Sequence, residues 1–336
     1  MRRGPTSIFD HDAREQTAKA SLASWYLPGL SDGLGDRLLM FDNTDSPSLE
    51  LLRFKKEFSS KPAFEEALRQ RIRQVERLIH PAIGKVRALK WLADNEGLAL
   101  VSDHVAGRRL SEVIHDARGQ GFAMELIRQL TPALVALQQQ GDGIAHGVLT
   151  PERIVVTPEG NLVIVEHVLG PAVELLDLPA ARLRNELGLA LPKGDSVEVL
   201  NGRGDVVQLG MIALSLVMGR RIDPADYPHN VSSLLDDFPR MAGRGSSSSP
   251  PLRLWLEQAL QLRTGAFGSA EDAYVALAGL PEDPGPRPDP RRIMFFRPAE
   301  PPPPPGPDVK PELIPPFPTV RPTERQKRMP AAKWPH

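Results

Sequence analysis

The sequence contains no cysteine among its 336 residues, which excludes disulfide bonds, catalytic thiolates and cysteine-based zinc sites. We therefore expect a reducing, cytoplasmic location. The sequence also lacks an excess of either charge, because 41 lysines and arginines stand against 42 aspartates and glutamates. A general nucleic-acid-binding protein would carry a basic excess, so no nucleic-acid partner is expected.

Long apolar stretches are absent as well. The longest, around 211–218, is far shorter than the ~20 residues that a helix needs to span a bilayer. Met1-Arg2-Arg3 is not followed by the apolar run that a secretory signal contains. The sequence therefore predicts neither a membrane span nor a signal peptide.

Proline is abundant but unevenly distributed. More than half of the 35 prolines follow Leu280, and they include the run Pro301–Pro305. Such a segment cannot bury enough apolar surface to offset its ordering entropy, so we predict a disordered tail over 281–336. Its P-x-x-P segments are candidate docking motifs for a protein partner. Residues 1–24 are polar and are predicted to form an N-terminal extension with one short helix, from Asp12 to Leu22.

The signals for secondary structure change in kind along the chain. Apolar runs bounded by turn residues predict strands at 38–41, 49–58, 86–92 and 98–101. Between them, Pro62 begins an amphipathic helix with apolar residues at Phe64, Leu68, Ile72, Val75 and Ile79. After Gly107 the pattern is mainly helical, with one strand–turn–strand over 154–165. Strands followed by helices predict an α+β protein with two lobes.

A segment in the middle of the chain resembles the catalytic and metal-binding loops of protein kinases. It reads His146-Gly147-Val148-Leu149-Thr150-Pro151-Glu152-Arg153 and, after the hairpin, Val165-Glu166-His167; the kinase signatures are H-R-D-L-x-x-x-N and D-F-G. Further segments resemble other kinase landmarks in the right order: Leu52–Lys55, His80–Ile83, Leu98–Gly107, Gly204–Gly210 and Ser269–Leu280. Residues 25–280 thus resemble a protein kinase domain of the bacterial Ser/Thr type.

The resemblance implies a fold and a set of replaced catalytic residues. The fold is a small β-rich N-lobe with helix C, at about 25–101, and a larger helical C-lobe, at about 108–280. Val148 stands where the kinase Asp accepts the substrate proton, and valine has no lone pair. Thr150 replaces the lysine of the same loop that contacts phosphate.

Both metal ligands of the kinase site are also replaced. The Asn becomes Arg153 and the Asp becomes Glu166. Because arginine is always charged and offers no acceptor, we expect it to occupy the place of Mg²⁺, and we predict no metal site. We hypothesise that Glu166 pairs with Arg153, in which case Arg153→Asn would create metal affinity. Two alternatives remain: Arg153 points to solvent, or Lys55 pairs with Glu166.

The nucleotide pocket looks blocked. The resemblance makes Lys55 a remnant of the pocket lysine, and Arg53, two residues earlier and on the same face of the strand, fills the adenine slot. If Lys56 is the pocket lysine instead, Phe54 takes that place. In helix C, Arg71 stands where a Glu would pair with the lysine.

The glycine loop of a kinase is degenerate in this chain. Leu30, Asp32 and Gly35 fall on its three glycine positions, and Asp32 would repel phosphate; alternatively, the nearby Gly33 belongs to a different turn. His167, at the D-F-G phenylalanine, has no further ligand at metal spacing, and we read it and His146 as packed core histidines.

Together, these replacements favour a pseudokinase, a catalytically inactive kinase-like domain that acts as a protein-binding or allosteric signalling module. No cofactor is expected, and the sequence does not identify the partner. The alternative is a weakly active or atypical ATP-dependent kinase or nucleotidyl transferase that holds ATP and Mg²⁺ through Lys55 and Glu166. A third interpretation is a scaffold that presents the proline-rich tail.

Overall fold

The computed structural model describes residues 26–41, 46–92, 97–191, 200–237 and 250–282, and for 26–28 only the backbone. All of these residues belong to one structural unit. The N-terminal helix predicted over 12–22, and all but the first two residues of the tail predicted over 281–336, lie outside the described residues.

The N-lobe is a five-stranded antiparallel sheet in the order β1-β2-β3-β5-β4. Its strands are β1 (Tyr26–Ser31), β2 (Gly35–Phe41), β3 (Pro47–Phe54), β4 (Val86–Trp91) and β5 (Leu98–Asp103). Side chains alternate across a strand, so Leu52 and Phe54 point to the same face of β3, where both are buried. That face is the one that meets the C-lobe.

Two helices follow β3. The first is α1 (Lys56–Ser59), in a stretch that the apolar pattern had assigned to the strand; the second is α2 (Pro62–Gln74), which Pro62 begins as predicted. α2 ends at Gln74 and does not continue to Ile79, whose side chain is 95% exposed. The apolar spacing continued past the end of the helix because the turn before Pro81 happens to carry apolar residues.

The C-lobe is built on helices. They are α3 (Leu110–Val113), α4 (Gln120–Gln138), α5 (Gly170–Glu174), α6 (Ala180–Asn185), α7 (Gly202–Met218), α8 (Val231–Asp236), α9 (Pro250–Ala259) and α10 (Ala270–Val275). α7 is buried almost all round and begins at Asn201, whose side chain accepts a hydrogen bond from Gly204 N. A small sheet in the order β6-β7-β8, formed by β6 (Arg108–Arg109), β7 (Ile154–Val156) and β8 (Leu162–Ile164), faces the N-lobe side.

The two-lobed α+β architecture predicted from the sequence is confirmed by this arrangement. Within the described ranges, no helix is long and apolar enough to cross a membrane.

One buried apolar cluster runs from the inner face of the N-lobe into the C-lobe. From the N-lobe it takes Leu52 and Phe54 of β3 and Phe64 of α2; from the C-lobe it takes Val148 and Val168, which flank the loops that resemble a kinase site. Phe54 and Phe64 meet edge to face, with ring centroids 5.0 Å apart. The space between the lobes is therefore filled by apolar side chains at this depth.

The segment after Glu166 closes onto the N-lobe from the other side. Arg182 of α6 pairs with Glu57 of α1 at 2.8 Å. Leu34, in the turn between β1 and β2, is fully buried in the same cluster as Leu187. A Cβ atom on Gly33 would lie only 2.2 Å from the carbonyl oxygen of Glu186, so this close approach requires glycine.

Candidate functional site

The loop over 146–153 is anchored from below by a buried carboxylate. Asp205 of α7 accepts hydrogen bonds from the backbone N–H groups of His146, at 2.7 Å, and Gly147, at 2.8 Å. Burial raises the pKa of Asp205 to about 7, although these two bonds and the charge of Arg71 act in the opposite direction. The frame that holds the loop is thus intact.

His146 braces the same loop from inside the core. Its Nε2 donates to the carbonyl oxygen of Val165 at 3.2 Å, which connects the two loops that resemble the kinase site. Complete burial, with the charge of Arg153 nearby, lowers the pKa of His146 to about 3. The ring is therefore neutral at ordinary pH and serves as a structural hydrogen-bond donor.

Glu166 lies at the centre of a buried ion network. Its side chain is 5% exposed, and Arg37 of β2 grips both of its oxygens, with Nε–Oε1 at 2.6 Å and Nη2–Oε2 at 2.7 Å. Arg153 approaches from the other side, with Nε 3.2 Å from Oε2, and Arg109 Nη2 lies 3.9 Å from Oε1. A carboxylate in this geometry is saturated by guanidinium groups.

Arg153 connects the network to the turn between β1 and β2. Its side chain is 1% exposed; Nη2 donates to Asp32 Oδ2 at 2.7 Å and Nη1 donates to Thr150 Oγ1 at 3.0 Å. The pair with Glu166 that the sequence suggested is present, and the alternative in which Arg153 points to solvent is wrong. The same Asp32 oxygen also accepts from Arg37 Nη2 at 3.0 Å.

The electrostatics follow from this geometry. Burial alone would raise the pKa of Glu166, but the charges of Arg37 and Arg153 outweigh it and lower the pKa. For Asp32, burial is likewise outweighed by Arg153 and Arg37, and its pKa falls to about 2. Both carboxylates therefore stay ionised at neutral pH, and each is already compensated by arginine.

The turn that resembles the glycine loop is held by Asp32 itself. One carboxylate oxygen accepts from the backbone N–H groups of Leu34, at 2.8 Å, and Gly35, at 3.3 Å, while the other faces the arginines. Asp32 thus uses the backbone donors of this turn and places a negative charge beside them.

The structure does not bring Lys55 to the site. Lys55 is the first residue beyond β3, and it and Lys56 are both exposed. Arg53 faces the outer side of the sheet, pairing with Asp36 at 3.1 Å, so it does not fill the space between the lobes as expected. The register is the reason, because Lys55 and Arg53 lie on the face opposite to Leu52 and Phe54.

Arg37 occupies the space assigned to Arg53. It lies directly across from Leu52 in the β2–β3 pair, so the two residues share the inner face. Sequence analysis missed Arg37, although one signal was available: it is a charged residue in a strand whose next three positions, Leu38, Leu39 and Met40, are apolar. A buried charge in such a strand calls for a buried partner.

Arg71 of α2 lies at the inner end of the helix, where its side chain is largely buried. Its Nη1 donates to the carbonyl oxygen of Ala145 at 3.4 Å, and burial lowers its pKa against the opposing charges of Asp205 and Glu174. Burial and the charge of Arg71 together lower the pKa of the enclosed His167 to about 4. Arg71 thus connects α2 to the loop rather than to a strand lysine.

Val148 and Thr150 are both buried and have no catalytic contact. Val148 belongs to the apolar cluster between the lobes, and the hydroxyl of Thr150 accepts from Arg153. The side chains that resemble a catalytic loop are therefore used for packing and for the ion network.

The residues present do not fit the ATP–Mg²⁺ group that a kinase-like fold implies. Glu166 and Asp32 are the carboxylates nearest to the loop, and guanidinium nitrogens already contact both. Within the described ranges, no group of three histidines or carboxylates could hold a metal ion. The lysine that would contact phosphate is outside the cleft.

No protein-family model matches the chain. Serine/threonine-protein kinase PknA of Mycobacterium tuberculosis is 26% identical over 197 residues, which is 56% of this chain and 45% of that protein. The protein of the same name from Mycobacterium bovis matches equally. The match therefore spans less than half the length of these relatives.

Two solved structures are similar in fold. The Mycobacterium tuberculosis PknI kinase domain superposes with a TM-score of 0.54 at 19% identity and covers 77% of this chain and 97% of that one. The kinase domain of maize sucrose-induced receptor kinase 1, bound to AMP-PNP, gives a TM-score of 0.55 at 14% identity and covers 82% and 96%.

Proposed function

We propose that this chain, which has the protein kinase-like fold that these similarities show, is a pseudokinase that acts as a protein-binding or allosteric signalling module. The observation that carries the proposal is the state of Glu166, whose two oxygens are held by Arg37 and approached by Arg153. No cofactor is part of the proposal.

A divalent ion is disfavoured at this position by the charges already there. Mg²⁺ needs near-ideal octahedral geometry and binds through one or two free carboxylates, substrate oxygens and water. Here it would have to displace guanidinium groups from Glu166 and Asp32, and it would then meet the positive charges of Arg37 and Arg153. The arginines supply the positive charge that an ion would otherwise bring.

Proton transfer is disfavoured independently of the metal. Val148 cannot accept a proton, and loss of a general base alone typically costs 10²–10⁴ in rate. The base, the metal ligand and the pocket lysine act as one unit in phosphoryl transfer, so their combined absence supports inactivity more strongly than any one of them.

The nucleotide site is also disfavoured. The inner face of β3 presents Leu52 and Phe54, both buried in the cluster that joins the lobes, and Arg37 fills the space beside Leu52. A purine ring would need to open this packing, and burying it again would be the cost of binding.

The experiment that tests the proposal is a thermal unfolding assay of the full chain with ATP, in the presence and absence of Mg²⁺ or Mn²⁺. A ligand that binds only the folded state raises the midpoint. We expect no shift with either metal. A shift of several degrees that requires the metal and is lost in Glu166→Gln, but not in the exposed control Arg73→Gln, would support the alternative of a weakly active ATP-dependent enzyme.

Partner and location remain part of the proposal. A protein partner, docking through the P-x-x-P segments of the tail and a cytoplasmic address rest on the sequence alone, and the tail lies beyond the described residues.

A further inference from the structure

An open groove lies outside the ion network, on the side away from the apolar cluster. Its volume is about 580 Å³, within the range of ligand sites. We call it the outer groove; it is lined by Leu30–Asp32, Glu152–Arg153, Arg184–Gly188, Arg221 and Asp223–Pro224. Its walls therefore come from the β1–β2 turn, the turn before β7, the end of α6 and the segment after α7.

Two of the four carboxylates of the outer groove are engaged by arginines of the groove or network. Asp32 is held by Arg37 and Arg153. Glu152 is paired with Arg221, whose guanidinium runs alongside Gly188. Neither carboxylate has a free negative charge to offer a ligand.

The other two carboxylates are engaged as well. Glu186 makes two hydrogen bonds to Arg182, at 2.7 and 2.8 Å. Asp223 caps the turn after it by accepting from the backbone N–H of Ala225 at 2.8 Å. The acidic side chains of the outer groove are thus all committed to contacts within the chain.

Arg184 is the exception among the charged residues. It is half-buried in the wall of the outer groove, where α6 approaches Pro224. Within the part of the chain that the structure describes, it has no ion pair and no hydrogen bond, unlike Arg153 and Arg221. The groove therefore carries one uncompensated positive charge in a concave site, where a half-buried cation gains most from an anionic partner.

We propose that the outer groove binds an extended acidic segment of a partner protein, with Arg184 as the ion-pair anchor for a carboxylate side chain. The groove is open along the surface, which suits an extended peptide. Asn185 and Ser31 line it with further hydrogen-bonding groups. The inference rests on the proposed function, because it gives the binding module a recognition site and a class of ligand.

The test is a selection of random twelve-residue peptides on the immobilised full chain, followed by measurement of the dissociation constants of the selected peptides by fluorescence anisotropy. We expect aspartate and glutamate to be enriched in the selected peptides. We expect Arg184→Glu to weaken their binding at least tenfold and Arg184→Gln to weaken it less. The matched control is Arg73→Glu, an exposed arginine of α2 far from the groove, which should bind as the native chain does.

Three results would overturn the proposal: no acidic enrichment, equal binding by Arg184→Glu and the native chain, or equal loss in the Arg73→Glu control. A fourth variant tests the chain's own segment 192–199, which lies outside the described residues and contains Asp195 and Glu198. If Asp195→Asn/Glu198→Gln binds the peptides tenfold more tightly, the anchor is already used by the chain itself and the proposal fails. None of these results depends on ATP, so failure here leaves the inactivity test unaffected.

Discussion

Arg37 and Glu166 form a buried bidentate ion pair, with Nε–Oε1 at 2.6 Å and Nη2–Oε2 at 2.7 Å. The two residues are 129 positions apart in sequence and join the N-lobe sheet to the loop after β8. Desolvating both groups is costly, and the bidentate geometry together with Asp32 and Arg153 offsets that cost. The pair closes the space in which a kinase would hold its metal ion.

Removing one partner of this pair is expected to destabilise the fold strongly. Arg37→Met preserves much of the side-chain volume but leaves Glu166 and Asp32 with fewer compensating charges. We expect a loss of about 3–5 kcal/mol in the free energy of unfolding, because a buried charge is left uncompensated. Urea denaturation at neutral pH measures it.

The control for that loss is an exposed ion pair on α2. Arg73 and Glu66 lie 3.1 Å apart with both side chains more than half exposed. Arg73→Met is expected to cost less than about 1 kcal/mol, since solvent screens such pairs. Equal losses for the two substitutions would contradict the role assigned to Arg37.

The buried ring of His167 makes the stability depend on pH. Its pKa is lowered from 6.5 to about 4, so between these values the unfolded chain binds a proton that the folded chain does not. Its contribution is therefore fully present above pH 6.5 and is lost as the pH falls toward 4. The expected slope is about 1 kcal/mol per pH unit.

The variant that checks this dependence is His167→Phe, which keeps a ring of similar shape without a titratable group. Urea denaturation at several pH values between 7 and 4 should show a shallower loss of stability for His167→Phe than for the native chain. Parallel curves would show that His167 titrates alike in the folded and unfolded states.

The close approach of the β1–β2 turn to the segment after α6 gives a third prediction. A Cβ on Gly33 would lie 2.2 Å from the carbonyl oxygen of Glu186, and backbone atoms cannot rotate away as a flexible side chain would. Gly33→Ala should cost about 1–3 kcal/mol in the free energy of unfolding. In contrast, Gly279→Ala meets no heavy atom within 4 Å and should change stability by less than about 1 kcal/mol. If both variants are neutral, the two segments do not pack as described.

The sequence was sufficient to predict the two lobes and the resemblance that defines the site. Strands before Gly107 and helices after it reflect local periodicity, and the segment around His146 carries a recognisable spacing. It was also sufficient for the Arg153–Glu166 pair, since an arginine and a glutamate replace the two ligands of one metal ion and their charges are complementary.

The sequence was not sufficient where the answer depended on register. A shift of one residue moves every side chain of a strand to the other face, so Lys55 and Arg53 were assigned to the cleft when Leu52 and Phe54 occupy it. Arg37 was missed for a related reason: its partner is remote in sequence, and no local pattern connects them. The groove around Arg184 depends on four segments that only the fold brings together.

Arg37 also changes what Arg153→Asn alone can do. The sequence suggested that this substitution would create metal affinity, but Arg37 would still hold both oxygens of Glu166. Freeing the carboxylate requires removal of both arginines, which leaves Glu166, Asp32 and the new amide as oxygen ligands.

The most direct test of the account is a calorimetric titration of Mn²⁺, with and without ATP, into the full native chain, Arg153→Asn and Arg37→Met/Arg153→Asn. The account predicts no saturable binding by the native chain or the single variant, and binding in the millimolar range or tighter by the double variant. Saturable Mn²⁺ binding by the native chain in the presence of ATP would contradict the claim that arginines have taken the place of the metal.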